Sequence, residues 1–322
     1  MAHDKSPGYA LFGSYAFDTV LLHAGHFHSR ILPEEIARLN VSFGADVVRE
    51  ELGGTAGNIA YNAALLEDTP VLLGNVGADF SAYEQRLREL GLDTSTLSWH
   101  EEHRTARAWL LTDMEHNQIT AFYKGAQGAN CKLHPKALEV RLWHIAPEDA
   151  LSMLKMTDLA REHQVSYLFD PGQALPALLE TQTEGKADLR SALHEALGLF
   201  VNDYEAELLE STLGATLEEL GPKNGFVIRT LGAKGAQLYS NGDWEHVPCA
   251  KPDKVVDPTG CGDALRAGFL HAYVRGRPLF ECVRLGAVMA SFAVERFGGQ
   301  NHGPSKADIE KRMADFGARS LA

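Results

Sequence analysis

Residues 255–269 read VVDPTGCGDALRAGF, a turn with two glycines flanked by the carboxylates Asp257 and Asp263 and followed by small and apolar residues at helical spacing. Glycine reaches backbone angles closed to other residues, so Gly260 and Gly262 let successive N–H groups converge on one point. A helix from about Cys261 to His271 would add its unpaired first amides and the positive end of its dipole. Together these make a nest for an anion. Asp263 sits at the start of that helix, where it stays ionised and can accept a proton from a nucleophile. The competing reading is an N-cap aspartate on a glycine turn. Ala264, Ala267, Gly268 and His271 follow one another at helical spacing, and the small members read as close packing.

The rest of the chain makes such a nest useful. Over 322 residues the formal net charge is −13, which argues against nonspecific binding to nucleic acid or to an anionic membrane. A phosphorylated ligand would have to be held locally, and backbone donors do that without a basic surface. No apolar run approaches the roughly 20 residues of a membrane span, and the start MAHDKSPGYA lacks the regions of a secretory signal, so a cytoplasmic location is expected. Cys131, Cys249, Cys261 and Cys282 are widely spaced and read as reduced thiols, with Cys261 a tolerated small residue in the turn.

No repeat or linker divides the sequence, so 1–322 reads as one domain. Short apolar runs at 9–15, 70–77, 165–172, 197–203, 225–232 and 236–240 predict strands. Helical periods at 57–67, 81–90, 150–163 and 204–212 fall between several of them. That alternation predicts an α/β fold with a mostly parallel central sheet flanked by helices. Residues 40–52 and 104–125 alternate apolar and polar side chains instead, as half-exposed antiparallel strands do. They predict a small antiparallel β lid joined to the core near Gly53 and Gly54; the alternative is an extension of the main sheet.

DPTGCGDALRAG resembles the second signature of the ribokinase (PfkB) family, and LGGTAGNIAYNAALL, 52–66, resembles the first. The resemblance implies a ribokinase-like fold and an ATP-dependent phosphotransferase acting on an alcohol. It implies that Asp263 is the general base, with Gly260, Cys261 and Gly262 as the anion hole. Asp257 would be structural or part of a site for a monovalent cation such as K⁺. VNDYEAE, 201–207, resembles the family's N-x-x-E motif, which implies that Asn202 and Glu205 act on Mg²⁺ through water; as residues alone they also read as a helix cap. RTLGAKGAQLYS, 229–240, resembles its nucleotide segment and places Thr230, Gly232 and Gly235, with Asn202, along ATP. GAVMASFAVERFGG, 286–299, resembles the helix and loop that enclose the ATP base.

For the acceptor, GSYAFD, 13–18, puts Ser14 and Asp18 where the family binds substrate hydroxyl groups, together with Gly54 and Asn58. A helix-start cap is the plainer reading of Asn58. The run 32–54, with TARAWLLTD, AFYKGA and FDPGQ, resembles the adenosine kinases of actinobacterial type within the family. That subgroup implies a purine against Phe122 and Gln173 and transfer to the ribose 5′-hydroxyl of adenosine, giving AMP and ADP; the lid segments are placed at 16–52 and 104–125. One departure stands out: Ala108 occupies the place of a second lid aromatic, and Trp109 should face the other side of an alternating strand. Half of a purine clamp is therefore expected to be missing. The alternative is a kinase of another nucleoside or of a small sugar, of ribokinase or fructokinase type. The expected partners are the nucleoside or sugar and ATP, with pairing into a homodimer through the lid strands.

Overall fold

The computed structural model describes residues 8–29, 31, 40–115, 117–181 and 188–319. Residues 30, 32–39 and 116 of the two expected lid segments lie outside the described residues. The main sheet has eight strands in the order Asp243–Val247, Ala236–Ser240, Phe226–Thr230, Gly198–Asn202, Ser166–Phe169, Leu142–Ile145, Ala10–Phe12 and Val71–Leu73. From Phe226–Thr230 to Val71–Leu73 every neighbouring pair is parallel, and the last two strands join antiparallel at the other edge. Those two are linked by Asn241 and Gly242, both at positive φ, the two-residue turn whose twist matches a hairpin.

Alternation along the buried strands feeds two cores. Leu11, Leu72, Leu168, Phe200 and Ile228 face Ala267, Phe269 and Leu270 of the helix Cys261–Tyr273. Phe12, Leu73, Ile145, Phe169 and Val201 face Met153, Leu154 and Leu209 on the opposite side. The expected small-residue packing is present. A Cβ at Gly268 would lie 2.8 Å from the Gly286 backbone, so the helices Cys261–Tyr273 and Leu279–Ala293 touch where both residues are glycine.

The alternating segments, joined by Ala16–Leu22, which was not expected as a strand, form a separate four-stranded sheet in the order Val47–Gly53, Ala16–Leu22, Ala106–Thr112 and Gln118–Tyr123. They do not extend the main sheet. Its outer pairs are antiparallel as expected, while the two inner strands, which come from distant parts of the chain, run parallel. The strand Leu142–Ile145 was not expected and lies in the middle of the main sheet.

Candidate active site

Several of the expected site residues lie at the carboxyl ends of the main sheet's parallel strands. Ser14 follows Ala10–Phe12, Gln173 follows Ser166–Phe169, and Asn202 and Thr230 end their own strands, all of them parallel. In open α/β sheets, ligands bind beyond these carboxyl ends.

The helix Thr55–Leu65 begins here because Gly54 has φ 83°, and a Cβ on it would lie 2.6 Å from the Ser14 carbonyl oxygen. Ser14 is buried, and its hydroxyl accepts the Thr55 amide at 3.0 Å, so it anchors the helix start. Asn58 lies one turn into this helix and does not cap it. Its Nδ2 donates to Asp263 Oδ2 at 2.8 Å across 205 positions of sequence, and its Oδ1 accepts from Gln300 at 3.1 Å.

Gly260, left-handed at φ 76°, starts the helix that carries Asp263; a Cβ there would lie 2.6 Å from Gly299 Cα. Among the described residues the amides of Gly260, Gly262 and Asp263 have no hydrogen-bond partner. The Cys261 amide does have one, the Pro258 carbonyl at 3.2 Å. The open donors are therefore those of Gly260, Gly262 and Asp263, one residue different from the expected set. Burial, with Asp257 and Asp263 nearby, pushes the Cys261 thiol up to about 12, so it stays protonated. Asp257 takes the Thr259 amide on Oδ1 and the Gly298 amide on Oδ2, each at 2.9 Å, and so braces the turn against the loop at 297–301.

Desolvation raises Asp263 to about 7, against the opposing pull of the Asn58 hydrogen bond and of Arg266. The low value expected of a helix-start carboxylate is thus overruled by burial. A base with this pKa is well matched to neutral pH.

Arg266, one turn beyond Asp263, was not anticipated. Its Nε and Nη2 donate to the two oxygens of buried Asp170 at 2.5 and 2.9 Å, and Nη1 donates to the Gly262 carbonyl at 3.1 Å. The pair links the first turn of the Asp263 helix to the strand end that precedes Gln173. Buried His144 lies 3.8 Å from Asp170, too far for a hydrogen bond, and burial lowers its pKa so that it is neutral. A charged residue inside a stripe of small ones was the available signal for Arg266.

Asn202 and Glu205 form a mutual cap on the helix Asp203–Leu213. The Asn202 amide donates to Glu205 Oε2, Asn202 Nδ2 to Oε1, and the Glu205 amide to Asn202 Oδ1, each at 2.8 Å. Glu205 is buried, and desolvation raises its pKa. Beside them the Thr230 hydroxyl donates to the Val201 carbonyl at 3.4 Å. Gly232 and Gly235, at positive φ, shape the exposed turn that follows; a Cβ on Gly235 would meet the Val247 carbonyl at 2.2 Å.

In the small sheet, Asp18 pairs with Glu51 on one side and Ala108 on the other, and Ala108 pairs with Phe122. Residues opposite one another share a face, so Glu51, Asp18, Ala108 and Phe122 form one row across the small sheet. Trp109 pairs with Thr19 and occupies the other face without a bulge, as expected. Asp18 has no hydrogen-bond partner among the described residues; its carboxylate lies over Gly53, where a Cβ would be 2.2 Å from Oδ2. Burial, and then Glu51, raises its pKa to about 6. Gln173 is exposed and touches none of the other expected residues in a hydrogen bond.

A parallel sheet with a braced amide nest, a base-ready aspartate and a separate sheet opposite it defines a ribokinase-like phosphotransferase with an alcohol group as acceptor. The chain belongs to the pfkB family of carbohydrate kinases, whose model matches residues 30–306. It is 36% identical over 282 residues to a nucleoside kinase of Methanocaldococcus jannaschii, covering 87% of this chain and 91% of that protein. It is 34% identical over 309 residues to a nucleoside kinase of Methanothermobacter thermautotrophicus, covering 92% and 96%. Among solved structures, the nucleoside kinase of Burkholderia thailandensis in complex with inosine is 31% identical and superposes with a TM-score of 0.82, over 96% of this chain and 97% of that one. The same enzyme has been solved with ADP and inosine. These relatives are described by nucleosides in general, which is broader than the adenosine implied by the sequence resemblance.

Proposed function

We propose that this kinase transfers the γ-phosphoryl group of ATP to the ribose 5′-hydroxyl of a nucleoside, and that adenosine is one of several nucleosides it accepts. The observation that carries this is the row Asp18, Ala108, Phe122. Strands lie about 4.8 Å apart, so a carboxylate for sugar hydroxyls and an aromatic for a base are spaced by roughly 10 Å on one face, with a small residue between them. Ribose and base fit that span. With Ala108 in place of a second aromatic the base is gripped from one side, which supports a broader range than adenosine alone.

In this reading Asp18 and Asn58 hold the sugar, and the 5′-hydroxyl approaches Asp263. The new oxygen–phosphorus bond forms as the bond from the γ-phosphorus to the bridging oxygen of ADP breaks, and Asp263 takes the hydroxyl proton. The open amides of Gly260, Gly262 and Asp263 receive the negative oxygens in flight. Asn202 and Glu205 supply oxygen donors that fit a hard cation held through water; when bound, Mg²⁺ neutralises charge on the phosphates. For Asp257, the two backbone hydrogen bonds support a brace over a K⁺ site. The small sheet would close over the nucleoside. Its far face exposes Val48, Trp109, Ile119 and Tyr123, which a second copy would cover in a homodimer; sedimentation tests that. No helix among the described residues is long and apolar enough to cross a membrane.

The direct test is ATP turnover with adenosine, inosine, guanosine, ribose and fructose. Several nucleosides should exceed both sugars. The absent second aromatic also favours the alternative of a small-sugar kinase, and ribose outpacing every nucleoside would establish that alternative.

A further inference from the structure

We propose a binding site for zinc or a similar divalent d-block cation at the outer end of the small sheet, formed by His26, His28 and Glu115. His26 Nδ1 lies 3.5 Å from one carboxylate oxygen of Glu115, and His28 Nδ1 lies 3.5 Å from the other. One ligand atom from each of the three residues falls within 4.8 Å of the rest, and the two rings stack at 5.2 Å. These separations are too long for hydrogen bonds. They match the edge of a tetrahedron around zinc, which is about 3.4 Å for bonds of about 2.0–2.2 Å.

The ligands stand on a platform that exists without metal. Buried Asp113 accepts the amides of Phe27, Glu115 and Asn117, each at 2.9 Å, and thereby pins the loop carrying both histidines to the turn carrying Glu115. Met114 adds a bond from its amide to the Gly25 carbonyl at 3.1 Å, and buried Phe27 packs on Phe43 at 4.9 Å. Little backbone freedom remains to be lost when an ion binds. Two imidazoles and one carboxylate select zinc, cobalt or nickel over magnesium, which prefers oxygen ligands. The site differs from the active site, because Asp18 lies near the opposite end of its strand, more than about 13 Å away by strand rise. An ion here would add a further tie between the two halves of the small sheet, beyond its central parallel pair and the bonds of Asp113 and Met114.

The test is calorimetric titration of Zn²⁺ into the metal-stripped full chain, in excess Mg²⁺, repeated with Co²⁺ while recording visible absorption. The expected result is one equivalent of Zn²⁺ and a tetrahedral Co²⁺ spectrum. Affinity should fall at least about 100-fold in His28→Ala and in Glu115→Gln, since even loss of an outer-shell partner costs 10- to 100-fold. Asp263→Asn should bind as the wild type does. The proposal is overturned if the wild type binds no Zn²⁺ or if both exposed-site variants bind normally. It is equally overturned if binding is lost in Asp263→Asn and kept in His28→Ala, which would place the ion among the active-site carboxylates.

Discussion

The surroundings of Asp263 and those of Asp18 differ in how much of their bonding the protein itself supplies. Asp263 is held by Asn58, Asn58 by Gln300, and Gln300 also reaches Tyr83, while Arg266 secures the same helix turn to Asp170. Asp18 has no hydrogen-bond partner among the described residues, Phe122 is 50% exposed, and the whole strand Gln118–Tyr123 is exposed. Groups that must meet charge developing in flight work best when prearranged, because nothing then reorganises during the reaction. A surface that recognises the acceptor can be completed by the acceptor. Under the proposed function, chemistry belongs to the carboxyl ends of the main sheet and selectivity to the small sheet.

The largest expected effect breaks the chemical half alone. Asp263→Asn should lower kcat by about 10²- to 10⁴-fold, the usual worth of a general base, and leave nucleoside binding by calorimetry nearly intact. Unchanged turnover would remove Asp263 from the mechanism. Next comes Arg266→Met, which strands buried Asp170 without its partner and should cost about 3–5 kcal/mol in a denaturant titration. Arg266→Met combined with Asp170→Leu should recover much of that stability, because neither charge is then left alone. If the single variant is as stable as the wild type, the pair does not brace the anion-hole turn.

The same contrast explains what could be read from the chain alone. The turn at 255–269 was legible because its chemistry is local: glycines, carboxylate and helix start lie within a few residues of one another. Arg266 and Asp170 are 96 positions apart, and no spacing rule links them. The contact from Asn58 to Asp263 was reachable only through the family resemblance. Leu142–Ile145 is four residues long and contains His144, too short a run to show any period, yet it is central to the sheet because its neighbours supply the pairing. The Asn241–Gly242 hairpin did carry a recognisable signal, but its return strand, DWEHV, is mostly exposed and lacks an apolar face. In the small sheet, alternation marked three of the four strands and missed Ala16–Leu22, and the parallel pairing of the inner two depends on segments about 90 residues apart that alternation cannot order.

Selectivity should break separately. Asp18→Ala should raise KM for every nucleoside by roughly 10- to 100-fold, since hydrogen bonds to a charged group are worth about 1.5–3 kcal/mol. Phe122→Ala should raise KM for purine nucleosides by roughly 5- to 100-fold, from about 1–3 kcal/mol of stacking, and should not alter turnover of ribose. Equal losses for nucleosides and ribose in Phe122→Ala would mean that no base rests on that ring.

The smallest effect joins the two halves, because one ionisation should govern both rate and stability with opposite signs. Asp263 must be unprotonated to accept a proton, so kcat/KM should climb about tenfold between pH 6 and 8 around an apparent pKa near 7. Stability runs the other way. The folded-state pKa lies above the ordinary value of 3.8, so the folded protein binds more protons than the unfolded chain between about pH 4 and 7. The stabilising contribution is complete below that window and is lost as the pH rises through 7, where the buried carboxylate becomes charged. Asp18, raised to about 6, and Glu148, raised to about 7 by burial, contribute in the same direction, while carboxylates with lowered pKa values, such as Asp170, contribute oppositely. The informative quantity is therefore the difference between wild type and Asp263→Asn. That difference in melting temperature should widen in favour of the variant from pH 5 to 8, as wild-type activity rises over the same range. A constant difference would show that burial does not raise this carboxyl, and the rate profile would then have to come from another group.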